Sequence, residues 1–269
     1  MKNRIYVLAG LLSLLALGCS KDESGGETLP TPIDRSANLL AAGDSGADLL
    51  TNANFERVRI QIAFVSGFRP TDEALTNLQT FLLQRTFKSD IGFEFLELPS
   101  PGEEDLSLQE IVTIENENRT LYNDGTTLGM YIYFADAPSE GDQEDENIVT
   151  LGAVYRNTSM VIHESTIRDL SSRSSLIRTA DVETATLGHE FGHLFGLVNL
   201  GTEMVNPHED AEAPNHCNEA DCLMEAQLEF SLGLMNKMEQ RVAKGAVAVP
   251  DMGEECIADL VAIGGRQGG

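Results

Sequence analysis

Polar and apolar residues alternate and then run apolar through Arg57-Val58-Arg59-Ile60-Gln61-Ile62-Ala63-Phe64-Val65, which predicts a strand. Pro70 and Thr71 open a predicted helix through Phe87, with Leu75, Leu78, Leu82 and Leu83 on its buried face. Ile91 to Leu98 reads as a second strand, with Phe93 and Phe95 on one side and Glu94 on the other. Leu106 to Asn118 has helical spacing, and Leu128 to Phe134 is apolar throughout, as a central strand is. Ile148 to Tyr155 and Ser159 to His163 read as strands around Arg156-Asn157-Thr158. Asp181 to Leu197 predicts a helix capped by Asp181 and packed through Ala185, Leu187, Phe191 and Leu194. Asn199 to Asp221 has no apolar period and holds Pro207 and Pro214, so it is a long loop, and loops of that length are usually functional or disordered. Gln227 to Ala243 and Glu254 to Ile263 predict two last helices. There is no internal repeat. The whole predicts an α+β, mixed fold: a mixed β-sheet backed by helices.

The 269 residues suffice for one domain with a full core. Lys2 and Arg4 precede an apolar run from Ile5 to Leu17, too short to span a bilayer and laid out as a secretory signal. The run ends Leu15-Ala16-Leu17-Gly18-Cys19, which resembles a lipoprotein signal cleaved before a lipidated Cys19. Ala16-x-Gly18 would also suit an ordinary signal peptidase. Ser20-Lys21-Asp22-Glu23 resembles the export tag of surface lipoproteins in Bacteroidota-type bacteria, which implies the outer face of the outer membrane; periplasmic or secreted locations are the alternatives. Residues 1–18 are therefore expected to be the signal, 19–48 the lipidated cysteine and a Gly/Ser/Asp/Pro-rich tether, and 49–269 the domain.

Net charge is −25, with 43 acidic against 18 basic residues, which argues against nucleic-acid binding. The membrane is expected to be a partner through the lipid anchor only. Asp136, Glu140, Asp142, Glu144, Asp145 and Glu146 crowd one loop; a solvated loop is the favoured reading, and a Ca2+ site the alternative. Cysteines stand at 19, 217, 222 and 256, and outside the cytoplasm Cys217 can bridge to Cys222.

The chemistry lies in Leu187-Gly188-His189-Glu190-Phe191-Gly192-His193-Leu194-Phe195-Gly196. His189 and His193 are four apart and share a helix face, so both imidazoles can reach one metal ion. Glu190 leans toward the same ion and can take a proton from a water there. H-E-x-x-H on a helix in a secreted protein points to zinc. Catalytic zinc needs three protein ligands and an open position.

H-E-x-x-H-x-x-G resembles the metzincin zinc peptidases, whose motif continues x-x-H. Here that last position is Asn199, a weak neutral ligand. Downstream, His216-Cys217-Asn218-Glu219-Ala220-Asp221-Cys222-Leu223-Met224 resembles the H-C-x-x-x-x-C-x-M string of archaemetzincins, in which the histidine is the third zinc ligand. The two halves are separated here by an insertion from about Leu197 to Asn215. The resemblance implies a zincin-like sheet with the active-site helix beneath it, zinc on His189, His193 and His216, and Met224 as the apolar floor of a Met-turn. His208 is the rival third ligand, Asn199 a poorer one, and a glutamate such as Glu209, Glu212 or Glu219 would serve a thermolysin-like scheme. The family's second, cysteine-bound zinc is not expected, because its downstream C-x-x-C is missing and only Cys256 remains; a Cys217–Cys222 disulfide is expected instead. His163 reads as a structural or surface histidine.

These readings imply a zinc metalloendopeptidase of metzincin type with Glu190 as base and one catalytic Zn2+, acting on peptide or protein substrates. An extended peptide could pair with the strand near Ser159 to His163. The alternative is an inactive zincin-fold binding or adhesion lipoprotein; the retained Glu190 argues against it.

Overall fold

The computed structural model describes residues 34–143, 149–228 and 232–268. Cys19, the signal, the tether up to residue 33, and Glu144, Asp145 and Glu146 lie outside them. Five strands form one mixed sheet: β1 (Arg57–Val65), β2 (Asp90–Leu98), β3 (Thr127–Phe134), β4 (Gly152–Arg156) and β5 (Ser159–Ile162). Their order is β2-β1-β3-β5-β4. β1 pairs in parallel with β2 and β3, and β3 with β5, whereas β4 runs antiparallel to β5. β3 is almost wholly buried, as its unbroken apolar run requires.

The expected open edge at Ser159 to His163 is not where the sheet ends. β5 is hydrogen-bonded on both sides and all four of its residues are buried. The edge belongs to β4.

The helices are α1 (Gly46–Leu50), α2 (Asp72–Arg85), α3 (Leu108–Asn118), α4 (Glu164–Ser172), α5 (Thr179–Leu194), α6 (Leu232–Ala243) and α7 (Glu254–Ile263). The main core lies between the sheet and α5, with Ile60, Ile62, Ile132 and Ile162 facing Val182, Leu187 and Phe191. A smaller core under α3 takes the opposite sheet face, including Ala63, Tyr131, Tyr133 and Val161. Strand alternation sends these residues to opposite faces. Thr71 caps α2, its hydroxyl accepting from Ala74 N at 3.2 Å, and its own backbone N–H donates to Glu183 of α5 at 3.0 Å.

Three expectations shift. α5 begins at Thr179, so Asp181 is not the capping residue; from inside the first turn its carboxylate accepts from Arg178 N at 2.9 Å. Leu83 and Phe95 are exposed, the latter beneath the Arg69 guanidinium. The compact unit begins at Asp34, so residues 34–48, expected in the tether, pack as part of the domain. Among the described residues no helix is long and apolar enough to cross a membrane.

Candidate metal centre

α5 is buried along nearly its whole length: most of its residues are small or apolar, and Glu183, His189, Glu190 and His193 are buried with them. Its two glycines set how closely other chain can approach. A Cβ on Gly188 would lie 3.1 Å from Leu223, and one on Gly192 would lie 2.1 Å from Met224 Sδ. Met224 thus packs against the stretch of α5 at Gly192, next to His193.

His189 and His193 meet with Nε2 atoms 3.0 Å apart. His216 joins them, its ring centroid 5.3 Å from that of His189 and 5.0 Å from that of His193. The three offer nitrogens within 4.8 Å of one another, all buried. His189 Nδ1 donates to Leu223 O at 2.7 Å, and His216 Nδ1 donates to Pro214 O at 3.0 Å. Both bonds place the ring proton on Nδ1 and so the lone pair on Nε2, the tautomer a metal ligand needs. The donor set fits zinc.

Glu190 is buried, and its side chain lies against β4, where a Cβ on Gly152 would come within 2.9 Å of its Cγ and Oε1. A cleft of about 210 Å3 opens over these groups, lined among others by Glu190, His193, His216, Ala153 and Val154.

The insertion explains how His216 arrives. Gly196 leaves α5 with φ +83°, and Val198 and Asn199 follow in the left-handed region at 52° and 63°. In this turn the Asn199 amide donates to Glu209 Oε2 at 2.7 Å. The same Glu209 carboxylate accepts from Asn215 N at 2.8 Å. Hydrogen bonds from Asn215 and Asn199 hold it below its ordinary pKa. It is tied to the loop, not to the three histidines. Glu219 lies against Gly253, and Glu212 N donates to Asp210. Residues 208–210 then pair antiparallel with 216–218, Asn218 N donating to His208 O and Asp210 N to His216 O, both at 2.8 Å. His216 joins the helical histidines, whereas Cys217 lies on another side with His208 and Cys256.

On that other side the expected disulfide is absent. Cys217, Cys222 and Cys256 are all free thiols. Cys222 Sγ lies 3.6 Å from Cys256 Sγ, where a disulfide needs about 2.0 Å. Cys256 Sγ also lies 3.6 Å from His208 Nε2. His208 Nδ1 donates to Asn206 O at 2.9 Å, which again frees Nε2. Asp259 Oδ2 stands 3.5 Å from the same nitrogen. Backbone N–H groups point at the sulfurs: Glu219 N at Cys217 (3.4 Å), and Met224 N (3.4 Å) and Gly253 N (3.1 Å) at Cys222. Hydrogen bonds from the Cys217 and Cys256 thiols, aided by Met224 N and Gly253 N, pull the Cys222 thiol well below its ordinary pKa. His208, Cys217 and Cys256 offer three ligand atoms within 4.8 Å of one another, and the 3.6 Å spacing of Cys256 Sγ from His208 Nε2 is near the roughly 3.7 Å between ligands at about 2.3 Å around a tetrahedral zinc. His208 and Cys256, far apart in sequence, converge with Cys217 on one group of buried ligand atoms.

The calcium alternative finds no support: among the described residues, no three carboxylates of the 136–143 loop come within ligand distance. His163 is buried and structural, its Nδ1 bonded to Ala137 O at 2.9 Å.

Two solved structures are similar in shape. Archaemetzincin from Methanopyrus kandleri superposes with a TM-score of 0.49 at 13% identity, over 77% of this chain and 96% of that one. Metalloproteinase-II from Bacteroides fragilis gives a TM-score of 0.42 at 11% identity, over 87% of this chain and 58% of that one. No family model and no curated protein matches the sequence.

Proposed function

We propose that this chain is a zinc-dependent peptide hydrolase whose ion is held by His189, His193 and His216. The observation that carries the reading is the convergence of three buried imidazoles beside Glu190 at the floor of a cleft bordered by a sheet edge. Zinc bound there would supply Lewis acidity, making water acidic enough to ionise near neutral pH and polarising a carbonyl. The protein's own groups do the rest. Glu190 takes the proton of the attacking water and passes it to the departing amine. Burial of its carboxylate against β4 keeps it aimed at the cleft. His189 and His216 are each oriented by a backbone carbonyl.

The thiol cluster supports a second, structural ion on His208, Cys217 and Cys256, with Cys222 3.6 Å from Cys256 beside it. Its ribbon delivers His216 to the first ion, so the clasp assigned on sequence to a disulfide becomes a metal site. Tethering to the outer membrane surface through Cys19 remains part of the proposal on the strength of residues 5–23 alone.

The test is digestion of a mixed peptide library by residues 20–269, read by mass spectrometry. Cleavage that is lost on chelation and restored by zinc is expected. A zinc-loaded protein that cuts nothing sinks the peptidase reading and favours a binding scaffold.

A further inference from the structure

Residues 36–45 cross one end of the cleft as a strap, and the strap is built into the domain. Asn38, fully buried, donates to Asn123 Oδ1 (2.8 Å), Gly129 O (3.0 Å) and Thr158 Oγ1 (3.1 Å). Asn157, at the tip of the β4–β5 hairpin, holds the strap from both ends. Its side chain donates to Ala37 O at 2.8 Å and Ser45 Oγ at 2.7 Å, and accepts from Leu40 N at 3.1 Å. Its backbone N–H donates to Leu40 O at 3.1 Å. Beyond Leu40 the strap lies hard against the turn that ends α5. A Cβ on Gly43 would stand 1.7 Å from Leu200 O, and one on Gly46 would stand 2.2 Å from Phe195 O. Gly43 has φ +83° besides, so it is open to glycine on both counts. Between these anchors Ala42 lines the cleft together with Glu190, His193 and His216.

The sheet edge gives this wall a direction. β4 passes Glu190 at Gly152, borders the cleft at Ala153 and Val154, and ends beside the strap at Asn157. A peptide that adds to this edge in the antiparallel sense, the more stable pairing, runs the opposite way. Its carboxyl side then lies toward Gly152 and its amino side toward the strap. From Val154 to Asn157 is about 10 Å of extended chain at roughly 3.3 Å per residue.

Resting on the peptidase reading, we propose that Leu40–Gly43 wall off the amino-side end of the cleft. The substrates are then peptides, or unfolded chain ends, with no more than about three residues before the cleaved bond. This narrows the endopeptidase expected from the resemblance to an enzyme that trims amino-terminal ends.

The test uses zinc-loaded residues 20–269 and two peptide ladders around one cleaved sequence. One ladder lengthens the amino side and the other the carboxyl side. The expected result is a rate that falls at least about tenfold once the amino side passes roughly three residues, with little response to the carboxyl side. Ala42→Trp is expected to shift the cut-off to still shorter peptides, and deletion of residues 20–42 to abolish it. If that deletion fails to fold, Ala42→Trp alone decides. Equal rates on all amino-side lengths, a cut-off on the carboxyl side, or a cut-off that Ala42→Trp leaves in place overturns the proposal while the peptidase reading stands. Cleavage of neither ladder overturns both.

Discussion

Met224 Sδ lies so close over the α5 backbone at Gly192 that a Cβ there would stand 2.1 Å away. Two effects of Gly192→Ala compete. Alanine favours a helix interior by about 1 kcal/mol. A carbon forced into a filled core costs about 1–3 kcal/mol. At this overlap the second wins. Calorimetry should show Tm lowered by a few degrees, with partial recovery in Gly192→Ala/Met224→Ala. An unchanged or raised Tm for the single variant would show that Met224 is not fixed beneath the helix.

The two loop histidines should separate by metal content. His216→Ala removes a ligand of the catalytic ion and should abolish peptide cleavage, with the thiol-held ion kept. His208→Ala should lower the content of the other ion and reduce cleavage less, through the ribbon that carries His216. Elemental analysis after dialysis, paired with activity, checks this. The reverse pattern would exchange the roles of the two residues.

The thiol cluster makes its own prediction. Native protein should carry two zinc ions per chain, and Cys256→Ser close to one. Alkylation of the unfolded chain without reductant should label Cys217, Cys222 and Cys256 alike. A mass showing Cys217 bonded to Cys222 would restore the disulfide and remove the second ion.

Stability should also carry a pH signature from Glu164. Burial, and then the neighbouring Glu183, push its pKa up to about 8, while Arg168 opposes them. A raised carboxyl holds its proton in the folded state while the unfolded chain has already ionised. Its contribution is therefore present below about 4.5 and lost as pH rises to about 8. Glu164→Gln should flatten the fall in Tm across that window. An identical pH slope in the two proteins would contradict the assignment.

Much of this fold is written in local pattern. β1 and β3 announce themselves through alternation and unbroken apolar runs, and α5 through the spacing of His189 and His193. What escaped depends on distant partners. α4 is only nine residues long and mostly polar, with Ile167 and Leu170 as its buried apolar residues, so it is a short segment to find by pattern. The 34–48 segment has the small, polar composition of a tether, yet it is pinned by Asn38 and by Asn157, residues that carry no local signal. The edge strand was misplaced because β4 and β5 look alike until the topology orders them. At the metal centre the helical pair was legible and His216 was reachable through its motif. The place of Cys256 beside Cys222 and His208 was not legible, because α7 meets them only in the folded chain.

The central claim is that Glu190 acts as the base beside an ion held by His189, His193 and His216. It is tested most directly by Glu190→Gln at zinc content matched to the unaltered protein. Cleavage of a short peptide should fall by about 10²–10⁴-fold while both ions are retained. An unchanged rate at equal zinc content would contradict it.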